Sequence, residues 1–386
     1  MNDHPHKFQI GKVTLVSVAH FFHDIYTAFL APLLPFLQAS MGFSLTFAGF
    51  LSVVQRIPTL FNPLVGMLAE RTKARYFVIF APAVTALAMS LLTVAPHKAF
   101  LVLLVLVSGI SSSFFHVPSP VMIRKVSGKR IGMGMSFYMV GGELARTIGP
   151  IAVLGAVELW GLQGVTYFIP TGILASLLLF FRLRNVAISD DMNKSTSLEY
   201  LKTFKQFLPL ISTIASILFF RAAMKSALTF YLPVFLVNQG ESTWFAGISL
   251  SVLQGAGVAG TFFSGSLSDK IGRRSMMIIA TVGAPVLFFF FLNTTGFLQM
   301  VVLVLTGLFL FATGPLFLAI VNEYKTEHHN FVNAVFMTTT FLIGALMVML
   351  VGFAGDWLGL ELTYQIVGFM ALLSVPFAFK IPAHHK

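Results

Sequence analysis

Runs of hydrophobic residues fill almost the whole chain, and short polar or turn-forming segments interrupt them at intervals. A helix needs about 20 mostly apolar residues to cross the hydrocarbon core of a bilayer. Between the interruptions, the pattern predicts twelve spanning helices, so the expected fold class is all-α integral membrane. The predicted helices cover residues 11–38, 44–69, 75–95, 98–123, 131–157, 163–183, 206–238, 243–268, 274–293, 297–322, 329–354 and 360–380.

One polar interruption is much longer than the others. Residues 182–205 read "RLRNVAISDDMNKSTSLEYLKTFK", with two adjacent acids and a Lys-Ser-Thr-Ser run. This segment separates six predicted helices from the next six. We therefore expect two six-helix bundles, at residues 1–185 and 206–386, joined by a cytoplasmic linker at 186–205.

The two halves also repeat each other in sequence. Residues 52–75, "SVVQRIPTLFNPLVGMLAERTKAR", align without a gap with residues 251–274, "SVLQGAGVAGTFFSGSLSDKIGRR". Two pseudo-symmetric six-helix repeats, with a ligand site between them near the bilayer midplane, are the plan of many secondary transporters. The repeat therefore predicts a transporter that works by alternating access.

The composition supports a membrane protein. Hydrophobic residues make up 56% of the chain, charged residues only 10%, and the mean hydropathy is +0.86. A soluble domain carries about 25% charged residues. The chain has no cysteine, which excludes disulfides and thiolate metal sites. The first apolar stretch is too long for a cleaved signal peptide, and we expect it to be retained as a span.

The net charge of +11 reflects topology rather than nucleic-acid binding. Lys and Arg residues cluster in one set of loops and in the two termini, whereas Lys98 is the one basic residue in the opposite loops. Cytoplasmic loops carry the excess of Lys and Arg in membrane proteins. Both termini are therefore expected in the cytoplasm, and nucleic acid is not expected as a partner.

The segment "GSLSDKIGRR" (265–274) closely resembles the loop signature between helices 2 and 3 of the major facilitator superfamily: Gly-x-Leu-x-Asp-Arg/Lys-x-Gly-Arg-Arg/Lys. The segment "GMLAERTKAR" (66–75) resembles a degraded first copy. The resemblance implies the major facilitator fold and a latch that stabilises one state of the transport cycle; the alternative is that the bases only anchor the topology. The implied latch residues are Gly66, Glu70, Arg71, Arg75, Gly265, Asp269, Lys270, Gly272, Arg273 and Arg274.

A narrower resemblance lies in predicted helices 1, 4 and 5. "AHFFHDIYTAFLAPLLPFL" (19–37) and the stretch at 108–151 resemble the fosmidomycin-resistance branch of that superfamily. This branch implies a proton-coupled exporter in the bacterial inner membrane. The chain departs from its pattern at Val117, which follows His116, and at Glu143, where an amide is expected. The glycines of helix 5 resemble a signature of proton-coupled exporters, with close helix packing as the alternative.

Two histidines and an aspartate lie near the middle of the first predicted helix. At 100° per residue, His20, His23 and Asp24 share one stripe, which should face the bundle interior or a water-filled cavity. Histidine titrates near neutral pH, so His20 and Asp24 could share a proton and release it when access switches. The alternative is a static hydrogen bond that holds this helix to a neighbour.

Further charges fall within the predicted spans, and the basic ones outnumber the acidic ones. Aligning the repeats with a slightly larger offset also places His20 over Arg221 and Asp24 over Lys225. The excess of positive charge predicts an anionic ligand and disfavours a free metal cation. We expect proton coupling at His20, Asp24, Glu143 and His116, and substrate binding at His23, Arg56, Arg146, Arg221 and Lys225. Glu143 and Arg146 either pair with each other or face the substrate.

These observations predict a transporter without cofactor or metal, whose partners are a small-molecule substrate, protons and the lipid bilayer. The expected activity is proton-coupled efflux of a small anionic or amphiphilic organic compound, such as a fosmidomycin-like drug, by a monomer. Proton-coupled uptake of an anionic metabolite or a metal chelate is the alternative. An enzyme is not expected, because the sequence has no phosphate-binding loop, metal-ligand cluster or G-x-S-x-G motif. A channel is disfavoured by the repeat.

Overall fold

In the computed structural model, residues 8–62, 65, 75–128, 131–184, 197–324, 326 and 329–382 are described, and every regular element among them is helical. The α-helices are α1 (Ile10–Thr27), α2 (Leu30–Met41), α3 (Leu45–Arg56), α4 (Arg75–Ser90), α5 (Lys98–His116), α6 (Pro118–Val126), α7 (Ile131–Trp160), α8 (Ile169–Leu183), α9 (Ser197–Ser226), α10 (Leu232–Asn238), α11 (Thr243–Ile271), α12 (Arg273–Leu292), α13 (Gly296–Phe311), α14 (Thr313–Asn322), α15 (His329–Leu358), α16 (Leu360–Leu372) and α17 (Val375–Ala378). Short 3₁₀ turns and one π-turn extend some of them: Ile57–Phe61, Leu91–Val94, Leu162–Phe168 and, as the π-turn, Ala227–Tyr231.

The predicted membrane helices are confirmed. Among the described residues, eleven helical segments are long and apolar enough to cross a bilayer. The remaining predicted span, 44–69, contains the shorter apolar helix Leu45–Phe61, and residues 63–64 and 66–74 lie outside the described part. The protein is therefore an all-α, multi-pass membrane protein.

The chain forms two compact units. The first consists of Met1–Phe43 and Leu51–Asp191, and the second of Ser44–Phe50 and Met192–Lys386. Helix α9 begins at Ser197, so the helical structure starts inside the segment 186–205 that was predicted as a linker. Residues 185–196 of that segment lie outside the described residues.

Within the first unit, α1 packs mainly against α7 and α4, and α4 packs against α5 and α8. Apolar side chains from these helices form its core around Val16, Ile79, Phe115 and Leu179. Within the second unit, α9 packs against α15 and α16, and α11 packs against α13. Because lipid is as apolar as these faces, close van der Waals packing rather than hydrophobic burial holds each bundle together.

Prolines divide several spans into two helices. A proline ring removes a backbone donor and clashes with the carbonyl four residues earlier. Thus α1 ends at Thr27, and Ala28, the next residue, lies four residues before Pro32. Helix α5 ends at His116, and α6 begins two residues later at Pro118. The same effect of Pro315 ends α13 at Phe311. These interruptions leave polar groups within the spans without their regular helical partners.

The first turn of α3 belongs to the second unit and is capped by a carboxylate from α15. The backbone N–H groups of Leu45 and Thr46 each donate to Asp356 over 2.7 Å, and the Thr46 hydroxyl donates over 2.5 Å. A carboxylate is a favourable cap because the first N–H groups of a helix have no partner within it. The cap therefore fixes where α3 begins.

Candidate functional site

The polar stripe of α1 lies inside the first unit. His20, His23 and Asp24 are 4%, 0% and 1% exposed, whereas Phe21 and Phe22 on the adjacent face are half-buried. Buried charge within a membrane span is costly, so such groups require partners. Helices α5 and α7, which face this stripe, supply them.

Asp24 is surrounded by basic side chains. One carboxylate oxygen, Oδ2, lies 3.2 Å from His20 Nε2 and 3.4 Å from a guanidinium nitrogen of Arg146. The other, Oδ1, lies 3.1 Å from His116 Nε2. The structure thus brings together His20, Asp24 and His116, which the sequence predicted as proton-coupling residues, with Arg146, which it predicted as a substrate ligand.

The contacts of His20 show which of its ring nitrogens carries a hydrogen. His20 Nδ1 lies 2.8 Å from the carbonyl oxygen of Tyr138, and a carbonyl can only accept, so Nδ1 carries a hydrogen. In a neutral imidazole, Nε2 would then be bare and would face a carboxylate oxygen of Asp24. Two lone pairs so close in a buried site repel each other. One additional proton on the His20–Asp24 pair removes this repulsion.

A chain of hydroxyl groups orients His116 from the other side. Its Nδ1 lies 3.3 Å from the Tyr138 hydroxyl, which lies 2.7 Å from the Ser119 hydroxyl. The Tyr138 ring stacks on His20, with centroids 4.0 Å apart. Tyr138 therefore contacts both histidines that flank Asp24, one through its ring and its backbone and the other through its hydroxyl.

His23, predicted to bind substrate, contacts neutral groups. Its Nδ1 lies 3.1 Å from the Thr85 hydroxyl, which donates to Ser111, which in turn donates to the carbonyl oxygen of Ala81. Because the Thr85 hydroxyl hydrogen points to Ser111, the Thr85 oxygen accepts from His23, and His23 Nδ1 is therefore the donor. Its Nε2 is buried and has no hydrogen-bond partner among the described residues.

Arg146 and Glu143 pair with each other, as one of the two predicted alternatives required. Arg146 donates to Glu143 Oε1 over 2.8 Å, and the two residues are one helical turn apart on α7. The Arg146 side chain remains 44% exposed, compared with 19% for Glu143 and 2% for Asp24. Arg56, at the exposed end of α3, lies close enough to Arg146 for their charges to repel. A ligand can therefore reach arginine but not Asp24.

No metal-ligand cluster was predicted from the sequence, yet three potential ligand atoms meet here. One ligand atom each from His20, Asp24 and His116 lies within 4.8 Å of the other two. A metal is nevertheless disfavoured, because the Arg146 guanidinium lies beside the same carboxylate and would repel a divalent cation. The donor set fits a proton better than a metal.

In the second unit, the predicted ligands Arg221 and Lys225 lie at the break between α13 and α14. Arg221 is 4% exposed and donates to the carbonyl oxygens of Phe309 and Leu310 over 3.4 and 3.2 Å. These carbonyls belong to the last turn of α13, which Pro315 interrupts. The ammonium of Lys225 lies 5.2 Å from the centre of the Phe311 ring. Arg221 therefore supplies hydrogen bonds to the broken helix.

The predicted latch residues are only partly described. Arg273 pairs with Glu323 over 3.0 Å and also donates to Ser268. Arg274 lies over the Phe379 ring, and Arg75 lies over the Tyr76 ring. Lys270 is exposed. Gly272 has φ +91°, and a Cβ there would contact nothing, so this glycine serves the turn between α11 and α12. Gly66, Glu70 and Arg71 lie outside the described residues, and only the backbone of Gly265 and Asp269 is described.

The neutral residues of the site were not predicted from the sequence. Tyr138, Gly142 and Arg146 follow one another at four-residue spacing on α7, which places them on one face of the helix. That spacing could have identified Tyr138, since Arg146 was already a candidate. Thr85 and Ser119 carry no comparable signal, because isolated hydroxyl residues are common in apolar helices.

A bundle of membrane helices, with an internal cluster of titratable groups and an accessible arginine, defines a membrane transporter rather than an enzyme. The family model of the Major Facilitator Superfamily matches residues 16–346 and 256–386. The chain belongs to this superfamily. Among curated relatives, the "Fosmidomycin resistance protein" of Escherichia coli (strain K12) is 27% identical over 390 residues, covering 97% of this chain and 94% of the relative. An uncharacterized MFS-type transporter of Bacillus subtilis (strain 168) is 22% identical, covering 96% and 93%.

Solved structures with the same fold are transporters. A D-xylose-proton symporter matches with a TM-score of 0.77 at 15% identity, covering 97% of this chain and 98% of that one. A bacterial homolog of the human lysosomal transporter Spinster, in an inward-facing and occupied conformation, matches with a TM-score of 0.78 at 15% identity, covering 98% and 97%. At this identity, the similarity establishes the fold alone.

Proposed function

We propose that the protein is a proton-coupled secondary transporter of the bacterial inner membrane that exports a small anionic or amphiphilic organic compound by alternating access, with both termini in the cytoplasm. The full-length similarity to a protein named for fosmidomycin resistance supports export. The distribution of Lys and Arg supports the orientation.

The observation that carries the proton coupling is the His20–Asp24 pair. The pair is buried, lies on a spanning helix, and is arranged so that one added proton removes an electrostatic conflict. His116 and Arg146 balance the same carboxylate from α5 and α7. A site whose charge changes by one unit as it binds and releases a proton gives the transport cycle a group that can sense the pH gradient.

Uptake of an anionic metabolite is the second candidate, and the accessible arginines of the first unit favour it. Arg146 and Arg56 lie near each other, and Arg56 forms no ion pair within the described part of the chain. Guanidinium groups bind carboxylates and phosphonates through paired hydrogen bonds. Such a ligand would be drawn to the site from either side of the membrane, so the charges alone do not set the direction.

The test is a comparison of two fluxes in proteoliposomes, with a panel of anionic and amphiphilic substrates. Asp24→Asn preserves the shape of the side chain but cannot titrate. We expect it to abolish accumulation driven by a pH gradient while sparing substrate exchange at equal pH, because exchange needs only the loaded carrier to reorient. His20→Ala should shift the pH dependence instead of eliminating transport.

Glu361→Gln is the matched control, because Glu361 is an exposed acid in the first turn of α16 and lies far from the cluster in sequence. This variant should retain the wild-type ratio of pH-driven flux to exchange. If Asp24→Asn also kept the wild-type ratio of pH-driven flux to exchange, the proton site would lie elsewhere. A parallel loss of stability and exchange in both cluster variants would instead indicate a static His20–Asp24 contact.

A further inference from the structure

Arg146 occupies two environments at once. One of its terminal nitrogens contacts buried Asp24, the other contacts Glu143, and 44% of the side chain remains exposed. A guanidinium carries five N–H donors, so these two contacts leave donors free on its accessible edge. We infer that Arg146 binds the anionic group of the transported compound and thereby makes anion and proton bind cooperatively. This inference rests on the proposed proton site at His20–Asp24.

The geometry restricts how a ligand can influence the proton site. Asp24 is 1% exposed and His20 is 4% exposed, so a ligand cannot contact either of them directly. Arg146 is in contact with Asp24 and is also accessible. A carboxylate, sulfonate or phosphonate on the free edge of the guanidinium therefore competes with Asp24 for the same positive charge.

The sign of the coupling follows from this competition. When an anion engages Arg146, Asp24 loses part of its positive neighbour, and the His20–Asp24 pair binds a proton more tightly. Conversely, protonation of the pair weakens its hold on Arg146 and frees the guanidinium for the anion. Coupling between two ligands is reciprocal in free energy, so both descriptions give the same factor.

The other charged groups around Asp24 do not reverse this sign. An anion bound at Arg146 lowers the electrostatic potential at all of them, which favours protonation at every one. His23 is held as a neutral donor by Thr85, and Glu143 pairs with Arg146 itself. The groups concerned are His20 and His23 on α1, His116 on α5, Tyr138, Glu143 and Arg146 on α7, and Arg56 on α3.

Cooperative binding distinguishes the two candidate activities. Exchange of a proton for a substrate requires that one weakens the binding of the other, whereas movement in the same direction requires that they bind together. An anion bound at Arg146 would therefore travel with the proton, so for anionic compounds cooperative binding favours the uptake candidate over export. A compound exported in exchange for protons would have to bind without placing negative charge on Arg146.

The experiment measures the protons taken up when an anion binds to the purified, lipid-reconstituted protein. Propanesulfonate is the probe, because a sulfonate stays singly charged between about pH 5 and about pH 8, so any pH dependence belongs to the protein. Calorimetry in buffers of different ionisation enthalpy counts the protons. We expect wild-type protein to take up protons on binding and to bind the probe roughly tenfold more tightly at the acid end of this range.

Variants assign the effect to its residues. Asp24→Asn mimics the protonated acid, so it should bind the probe with the acid-limit affinity at every pH and take up no proton. Arg146→Gln should lose most of the binding, and Arg146→Lys should keep part of it. Arg182→Gln, which removes an exposed arginine from the last turn of α8, should behave like the wild type.

Proton release on binding, a binding affinity that does not change with pH, or no binding of the sulfonate by the wild type would each overturn the inference. These outcomes differ from a failure of the proposed function. If the proton site lies elsewhere, Asp24→Asn keeps its pH-driven flux whatever the calorimetry shows. If only the inference is wrong, that flux is lost and wild-type binding still fails to take up protons.

Discussion

At the scale of single residues, the charge of the cluster explains why one proton matters. Asp24 and Glu143 contribute two negative charges and Arg146 contributes one positive charge. Among these directly contacting side chains, a proton on His20 or Asp24 brings the net charge to zero, whereas its loss leaves one negative charge that, within the described part of the chain, only the nearby Arg56 can offset. Uncompensated buried charge is destabilising, so the deprotonated cluster requires another cation or a rearrangement.

Tyr138 connects the two histidines of the cluster, and its hydroxyl can be removed without losing its ring. In Tyr138→Phe, the stacking on His20 remains, but His116 Nδ1 and Ser119 each lose a partner. We expect a shifted pH dependence of flux and a loss of about 1 kcal/mol in stability. Flux against pH in proteoliposomes and thermal melting in detergent measure these two effects.

Tyr167→Phe is the control for that substitution, since Tyr167 is 63% exposed. It should change neither the pH dependence nor the melting temperature. If Tyr138→Phe lowers stability but leaves the pH dependence of flux unchanged, the Tyr138 hydroxyl has only a structural role.

The sequence predicted part of this cluster because charge in an apolar helix is conspicuous. The pattern alone identified the stripe of His20, His23 and Asp24, and the structure shows all three as buried. It could not show that Arg146 contacts Asp24, because the two residues lie on helices that are distant in sequence. The neutral partner Tyr138 was missed for a related reason: a tyrosine in a membrane helix carries no signal of its own until its neighbours are known.

At the scale of helices, the close approach of α1 and α7 positions the cluster. A Cβ at Gly142 would lie 2.5 Å from His20 Cε1 and 3.2 Å from Asp24 Oδ2. Gly141 is equally restricted, because a Cβ there would clash with the carbonyl oxygen of Ser17. Small residues let membrane helices approach each other closely. The glycine run predicted as either packing or function thus does pack, and it packs against the two residues proposed to bind the proton.

Gly142→Ala should therefore damage the site more than the fold. The added methyl group must displace His20 or Asp24, and overpacking of this kind costs about 1–3 kcal/mol. We expect a lower melting temperature and loss of pH-driven flux. Gly155→Ala on the same helix is the control, because a Cβ there has nothing within 4 Å. That variant should be neutral, or more stable by up to about 1 kcal/mol through helix propensity.

Equal behaviour of these two glycine variants would show that α1 and α7 have room to adjust.

Helix ends were also predictable from local chemistry, because Pro32, Pro118 and Pro315 interrupt the spans that contain them. The capping of α3 by Asp356 was not, since a cap supplied from a distant helix leaves no mark in the local sequence.

At the scale of the whole molecule, the hydrophobic pattern and the length of the spans were enough to predict the fold. The two units differ in their polar content: the first holds the cluster of His20, Asp24 and His116, whereas the second holds Arg221 at a broken helix. The repeat places His20 over Arg221, so a titratable residue in one half corresponds to a permanently charged residue in the other. This difference explains why a proton-dependent change of charge is expected in the first unit.

The last prediction concerns the charge that crosses the membrane in one cycle. If one monovalent anion and one proton bind together, the loaded carrier gains no net charge and its movement is electroneutral. A pH gradient should then drive accumulation of propanesulfonate in proteoliposomes, whereas an imposed membrane potential at equal pH should not. Exchange of the anion for a proton would instead move two charges per cycle, and each charge responds by about 2.3 kcal/mol per 100 mV. Strong uptake or release driven by potential alone would exclude joint movement and would favour export in exchange for protons.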